Sequence, residues 1–313
     1  MKLGVVITTY NRINLLKECL KACINQTYKF EKIIIVNNAS TDNTSEYLED
    51  LNKKNKDILI INSEKNLGGA GGFYLGLKKA LKEDVDYILI IDDDAILNKD
   101  YNERIIKYIE KKEKNISGYS GTVKTNNEIQ YEHRRHLKPG FKCIDSNKTE
   151  YAKEFFDYEL STFCGLFISK KLIEKIGLPE KDFFIWFDDT EYSIRLKKYG
   201  KIRNINKAEL NHKTTLSKKS GYNWKSYYSI RNQLIIIRKY FSKITLFKFI
   251  VLFKIMIIGG KFKYMITKDD YYNYVSHIYI DAINDAKKNI LGKNEKYSPD
   301  NIKIEKNVNK GER

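Results

Sequence analysis

The densest chemistry in the chain is Asp92-Asp93-Asp94, three adjacent carboxylates placed directly after the apolar run Tyr87–Ile91. Like charges so close repel, so a stable fold needs a reason to keep them together. In an extended segment Asp92 and Asp94 point to one side and Asp93 to the other. Two carboxylates on one side at the end of a buried strand make a hard-oxygen site suited to Mn2+ or Mg2+. An ion there could bridge a diphosphate and neutralise it as a leaving group. The competing reading is a solvated acidic turn before the helix near Asn98.

Three further clusters carry chemistry. Asn66–Phe73 reads Asn-Leu-Gly-Gly-Ala-Gly-Gly-Phe, which is neither a P-loop nor a GxGxxG fingerprint. Gly68 and Gly69 would let backbone approach a ligand, and the following helix would offer free N–H groups to phosphate. A plain tight turn explains the glycines equally well. Trp186-Phe-Asp-Asp-Thr-Glu191 places Asp188, Asp189 and Glu191 at the start of a helix, where carboxylates can simply cap. The aromatic flank Phe183–Phe187 offers a second reading. Trp186 could stack on a sugar, and desolvation would raise a carboxyl pKa toward that of a general base. His212 is a lone imidazole that gains weight only as a third ligand beside the Asp pair. His133, His136 and His277 read as surface or structural, although His133–His136 with Arg134 and Arg135 could touch an anionic substrate.

These clusters need a scaffold, and the hydrophobic pattern supplies one. Strands are expected at Leu3–Thr8, Lys32–Val36, Ile58–Ile61 and Tyr87–Ile91, with helices at Ile13–Ile24, Asn43–Asn52 and Gly68–Leu81. This alternation implies a doubly wound α/β domain, a mostly parallel sheet with helices on both faces. Such sheets bind ligands beyond the carboxyl ends of their strands. Thr8-Thr9-Tyr10-Asn11-Arg12, Asn37-Asn38, Asn66 with its glycines, and the Asp triplet all fall there. Beyond residue 125 the pattern loosens to a strand at Thr162–Ser169, helices through Ile176 and Tyr199, and a mainly helical region from Trp224 to about Leu291. Two domains are expected, 1–215 and 216–313.

The formal charge of +17 suggests an anionic partner. Lysine outnumbers arginine 48 to nine, so a compositional bias explains part of the excess. From Lys213 to Lys268 no Asp or Glu occurs. Within that stretch Ile244–Met265 is apolar but broken by Lys248, Lys254, Lys261 and Lys263. No uncharged run approaches the ~20 residues of a membrane span. A helix lying in a membrane interface with snorkelling lysines fits, and so does a buried helix packed on the catalytic domain or a partner subunit. Four cysteines without a CxxC pair read as reduced thiols rather than a zinc site. Met1 leads straight into a strand, so no signal peptide is read and a cytoplasmic catalytic region is expected.

Together VVITTYNR, IIIVNNASTDNT, NLGGAGGF, LIIDDDA and FIWFDDTEYSIR resemble glycosyltransferase family 2, of GT-A fold, over about residues 1–215. The set looks most like bacterial galactofuranosyltransferases and, next, rhamnosyltransferases. The resemblance implies Asp92, Asp94 and His212 as ligands of Mn2+ or Mg2+, Asp189 as catalytic base, and Asp188 and Glu191 beside it near the acceptor. It puts Thr8, Thr9, Arg12 and Asn38 at uracil and ribose, and Asn66, Gly68, Gly69 and Asp93 at the sugar diphosphate. Where the family has Val-Asp-Asn this chain has Val36-Asn37-Asn38. The implied reaction is an inverting transfer of a galactofuranose-like or other hexose from a UDP-sugar to a hydroxyl of a surface glycan or lipid-linked acceptor. The alternative within the family is rhamnosyl transfer from a dTDP-sugar. Peripheral attachment to an anionic inner membrane face is expected, and a homo-oligomer is left open. No nucleic acid is expected as partner, the remaining alternative being a basic non-catalytic nucleic-acid-binding protein. Tyr227–Asn232 resembles a segment that lines the acceptor site in related transferases.

Overall fold

The computed structural model describes residues 1–213 and 221–298. The domain boundary expected at 215 lies outside them. The chain divides into two compact units. The first holds residues 1–138, 143–181 and 189–216, and the second holds 139–142, 182–188 and 217–313.

The first unit begins with the expected alternation: β1 (Leu3–Thr9), α1 (Ile13–Ile24), β2 (Lys32–Asn37), α2 (Thr44–Lys54), β3 (Ile58–Asn62), α3 (Gly68–Ala80) and β4 (Tyr87–Asp92). It continues through β5 (Ala95–Leu97), α4 (Tyr101–Ile109), β6 (Ile116–Thr125), β7 (Glu128–Ile129), β8 (Arg134–Lys138), β9 (Lys142–Asp145), α5 (Lys148–Tyr151), β10 (Phe155–Tyr158), β11 (Leu160–Ser161), β12 (Leu166–Ser169), α6 (Lys170–Ile176), α7 (Asp188–Leu196) and β13 (Lys201–His212). The large sheet runs β10-β13-β6-β12-β4-β1-β2-β3, with β5 on β13 and β7 on β6; β11, β8 and β9 form a small second sheet.

Strands β1 to β4 pair in parallel, and alternate side chains pack to opposite faces. Leu3, Val5 and Ile7 meet Leu16, Cys19, Leu20 and Cys23 of α1 on one face. Val6, Ile34, Ile88 and Ile90 meet Phe73, Leu77 and Ala80 of α3 on the other. Both faces are therefore covered, which is why these strands read as unbroken apolar runs.

The expected strand at Thr162–Ser169 is cut short. Gly165 has φ +86, and the chain turns there before β12 enters antiparallel between β4 and β6. His212 closes a 12-residue strand, β13.

The glycines of α3 divide into two kinds. A Cβ on Gly76 would sit 2.2 Å from Val6 Cγ1, and one on Gly72 2.3 Å from Thr8 Cγ2. These residues let the helix lie directly on β1. A Cβ on Gly69 would meet nothing within 4 Å. Gly69, then, has space beside it for a ligand, Gly72 and Gly76 serve helix-to-sheet packing, and a Cβ on Gly71 would strike Leu67 Cβ at 2.5 Å.

The second unit holds three helices, α8 (Trp224–Tyr240), α9 (Lys243–Thr267) and α10 (Asp270–Lys288). Its core combines Tyr227, Tyr228, Leu234 and Ile237 of α8 with Ile278, Ala282 and Ile283 of α10. Asn223, Ser242 and Asp269 accept from backbone N–H groups at the three helix starts.

Overpacking should follow the glycine geometry. Gly76→Ala is expected to lose about 1–3 kcal/mol of stability, and Gly69→Ala to stay within about 0.5 kcal/mol of the parent. Urea unfolding of the two variants checks this, and equal midpoints would contradict it.

Candidate active site

The Asp triplet lies where β4 stops. Asp92 is its last residue, paired in register with Thr8 of β1, and Asp93 and Asp94 form a turn into β5. The extended alternation expected for the triplet is therefore only partly kept. Asp92 and Asp94 both reach His212, as alternation predicts. Asp93 turns toward Thr9, whose hydroxyl donates to it at 2.7 Å. But Arg12 donates both to Asp93 at 3.2 Å and to Asp94 at 2.9 Å, because the turn brings these two carboxylates round to one guanidinium.

His212 arrives by backbone register. Strand β13 runs antiparallel to β5, pairing His212 with Ala95, and the Lys213 N–H donates to the Asp94 carbonyl at 2.9 Å. His212 Nε2 then lies 3.1 Å from Asp94 Oδ1. That oxygen is buried and takes no well-aligned hydrogen bond. One ligand atom each of Asp92, His212 and Cys164 lies within 4.8 Å of the others.

The electrostatics follow from burial. Desolvation, then the charge of Asp94, pushes Asp92 up to about 7, opposed by His212. Desolvation likewise raises Asp93 to about 6 against the pull of Arg12 and Thr9. Burial also works against the charge on Asp94, yet His212 and Arg12 outweigh it and lower its pKa. Desolvation opposes protonation of His212, and the carboxylates overcome it and raise its pKa.

A desolvated carboxylate, a second one paired with an imidazole, and that imidazole are a donor set that fits Mn2+ or Mg2+. Cys164 fits less well. Burial, then the neighbouring carboxylates, raises its pKa well above the usual thiol range, so it remains a thiol, a poor ligand for hard cations.

Around this centre sit residues that the sequence did not connect with the acidic turn. Arg134 is fully buried and donates to the carbonyls of Gly121 at 2.8 Å and Cys164 at 2.9 Å. It is a core tie, not the substrate contact considered above. The His133 ring meets the His212 ring edge-on, centroids 5.2 Å apart, with Nδ1 2.7 Å from Thr162 Oγ1. Burial, then the charge of Arg134, lowers its pKa well below the usual value, so a neutral ring fixes the orientation of His212. His136 contacts Glu150 and Glu159.

On the donor side, Thr8 Oγ1 is enclosed without a partner. Asn38 donates to Asn66 Oδ1 at 3.1 Å and to the Gly68 carbonyl at 2.9 Å, and accepts from the Leu67 N–H at 2.9 Å. Asn66 in turn accepts from the Gly68 N–H at 2.8 Å. These two amides hold the glycine loop in shape, with Gly68 at φ +71. Asn37 donates to Ser45 and Asn62 and so locks the turn after β2.

Asp189 is half-buried in the first turn of α7. Desolvation raises its carboxyl, opposed by Arg135, which donates to Thr190 Oγ1 at 3.0 Å. Glu191 is buried and ion-paired with Arg195 at 2.8 Å, the next turn of the same helix. Within the second unit Asp188 is buried and Trp186 is 43% exposed. Phe184, Trp186 and Phe187 all have positive φ, between 63° and 69°, a conformation costing about 1–3 kcal/mol at each bulky residue. Asn232 Nδ2 offsets this by donating to the carbonyls of Phe183, Ile185 and Trp186, and Arg231 by donating to that of Phe183. The segment from Tyr227 to Asn232 thus shapes the aromatic flank.

Residues 4–177 match the model of glycosyl transferase family 2, more than half of the chain, and the chain belongs to that family. An uncharacterized glycosyltransferase of Haemophilus influenzae is 34% identical over 108 residues, 34% of this chain and 32% of its own length. The chain thus spans about a third of that relative. An uncharacterized glycosyltransferase of Methanocaldococcus jannaschii is 26% identical over 269 residues, covering 80% of this chain and 88% of its own. Among solved structures, GalNAc-T7 with UDP, GalNAc and Mn2+ superposes with TM-score 0.61 at 14% identity, over 76% of this chain and 48% of the other. The fold is GT-A-like.

Ligation requires Asp92 to lose its proton, so Mn2+ affinity is expected to rise with pH and level off above about 7. In the metal-free protein the same shift runs the other way. The unfolded chain releases this proton in the ordinary carboxylate range, so the contribution of Asp92 to stability falls as pH rises from there toward about 7. Titration calorimetry with Mn2+ across this range, on the parent and on Asp92→Asn, reads the first effect. A pH-independent affinity in the parent would contradict it.

Proposed function

We propose that the chain is an inverting hexosyltransferase that moves a galactofuranose-like or other hexose from a UDP-sugar to a hydroxyl of a surface-glycan or lipid-linked acceptor. The observation that carries this reading is the clustering of an imidazole and two carboxylates at the carboxyl edge of a GT-A-like sheet, His212 lying 3.1 Å from Asp94 and within 4.8 Å of Asp92. A structural neighbour holding UDP and Mn2+ supports it, as does membership of the family.

Asp92, Asp94 and His212 would hold Mn2+ or Mg2+, whose positive charge stabilises a diphosphate leaving group. Arg12 and Thr9 hold Asp93 and orient the acidic turn. The open side of Gly69 leaves room for the donor phosphates, whereas the Thr8 hydroxyl is enclosed beside Gly72 of α3. Asn38 and Asn66 act on the donor through the loop they brace. Asp189, with its raised pKa, accepts the proton of the attacking hydroxyl. Asp188 and Glu191 flank it in sequence, and Trp186 presents an exposed ring for a sugar face. The catalytic domain is taken as 1–215 and the placement as cytoplasmic, peripheral on the inner membrane face. No helix among the described residues is long and apolar enough to cross a membrane.

One residue favours a second donor. Asn37 stands where the family carries an Asp, and its amide is committed to Ser45 and Asn62. The contact to the base is altered, which admits a dTDP-sugar such as the rhamnosyl donor.

A donor panel with Mn2+, scored by released nucleotide, separates these readings. UDP release is expected from a UDP-hexose, and dTDP release from dTDP-rhamnose marks the second reading. Release from neither overturns both. Asp189→Asn is expected to bind donor as the parent does and to lose transfer by about 10²–10⁴-fold. Transfer at the parental rate would remove Asp189 from the role of base.

A further inference from the structure

The helix α9 has two apolar sides, and the second unit uses one. Its packed side includes Thr245, Phe249, Phe253, Ile257 and Gly260. Phe253 stacks near Tyr279 of α10, and a Cβ on Gly260 would come within 2.5 Å of Ser276 Oγ. The opposite side carries Phe247, Val251, Ile255, Ile258, Phe262 and Ile266, spaced four, four, three, four and four residues apart and therefore aligned in one stripe. All six are exposed, Phe247 at 67% and Ile258 at 68%. A helix apolar all round is ordinarily covered all round, and a contiguous stripe of this kind marks an interaction face.

The charges say what covers it. Lys254, Lys261 and Lys268 follow one another at seven-residue intervals along one border of the stripe, and Lys248 and Lys263 lie toward the other. No Asp or Glu occurs between Ser242 and Lys268. Two copies of α9 face to face would set lysine against lysine with no carboxylate between them, so a self-paired dimer is disfavoured. An anionic bilayer meets both features. Acyl chains take the stripe, and headgroup phosphates take lysines whose stems lie along it. The helix has 25 residues, about 37 Å at 1.5 Å per residue, and it is too charged to span.

We propose that α9 lies flat in the surface of an anionic membrane, with the stripe Phe247–Ile266 inserted among the acyl chains and its bordering lysines on lipid phosphates. This deepens the peripheral placement in the proposed function and rests on that reading only for the acceptor's location. Vesicle binding needs neither donor nor metal, so its failure leaves the transferase reading untouched, and lost nucleotide release would leave this face standing.

The test is co-sedimentation of the full chain with vesicles of phosphatidylcholine, alone and mixed with phosphatidylglycerol. Binding is expected to the mixed vesicles and to weaken with added salt. Lys254→Ala with Lys261→Ala should weaken it about twenty-five-fold, near fivefold per lysine. Phe247→Ser, Ile255→Ser and Phe262→Ser together should abolish it, and Phe262→Leu should retain it. All these positions are exposed, and circular dichroism verifies the fold. Should the triple variant unfold, Ile255→Asn alone takes its place. Absence of binding to either vesicle, or equal binding by the stripe variants, overturns the proposal. So does a parental dimer that the stripe variants dissociate without loss of vesicle binding, which would assign the face to a second copy.

Discussion

Three carboxylates held at the end of one buried strand govern the rest of this molecule. Left alone, Asp92, Asp93 and Asp94 would repel one another in a poorly hydrated corner, and the cost shows in the raised pKa values of Asp92 and Asp93. The fold answers with two basic side chains from distant segments. Arg12, just beyond β1, bridges Asp93 and Asp94. His212, at the end of β13, reaches Asp94 and lies near Asp92. Asp94 Oδ1 stays buried, 3.1 Å from the imidazole and without a well-aligned hydrogen bond. Keeping such charges together out of water costs stability, and the divalent ion we propose would offset it.

The parallel half of the sheet and its flanking helices were legible because their signals are local. Leu3–Thr9, Lys32–Asn37 and Tyr87–Asp92 are apolar through and through, since both faces are covered, and Leu16, Cys19, Leu20 and Cys23 repeat at helical spacing. The acidic triplet was legible for the same reason. Its surroundings were not. Cys164 enters the site because β12 inserts antiparallel between β4 and β6, and no spacing encodes that pairing. His133 reads as surface or structural, or with Arg134 as a contact for an anionic substrate, yet His133 abuts the His212 ring and Arg134 ties down the Cys164 carbonyl. The glycine run reads as a phosphate cradle or a plain tight turn; Gly69 has open space beside it, whereas Gly72, and Gly76 beyond the run, let α3 lie on β1. Asn38 and Asn66 likewise spend their hydrogen bonds on the loop itself.

The aromatic flank before Asp189 is the second place where local preference is overruled. Phe184, Trp186 and Phe187 hold positive φ there, and a single amide, Asn232, donates to three carbonyls of the same segment, those of Phe183, Ile185 and Trp186. Strain of this kind persists where the shape of a segment matters more than its comfort. Through its family resemblance Tyr227–Asn232 reads as lining the acceptor site, and its bracing of the flank is not legible in the sequence.

The central claim is that the acidic turn and His212 together hold a divalent ion against a nucleoside diphosphate. Electron spin-echo spectroscopy of the full chain with Mn2+ and UDP tests it at the atom concerned. A nitrogen coupling from His212 should accompany bound Mn2+ and vanish in His212→Phe. An unaltered coupling in that variant, or none in the parent with Mn2+ bound, would contradict the account.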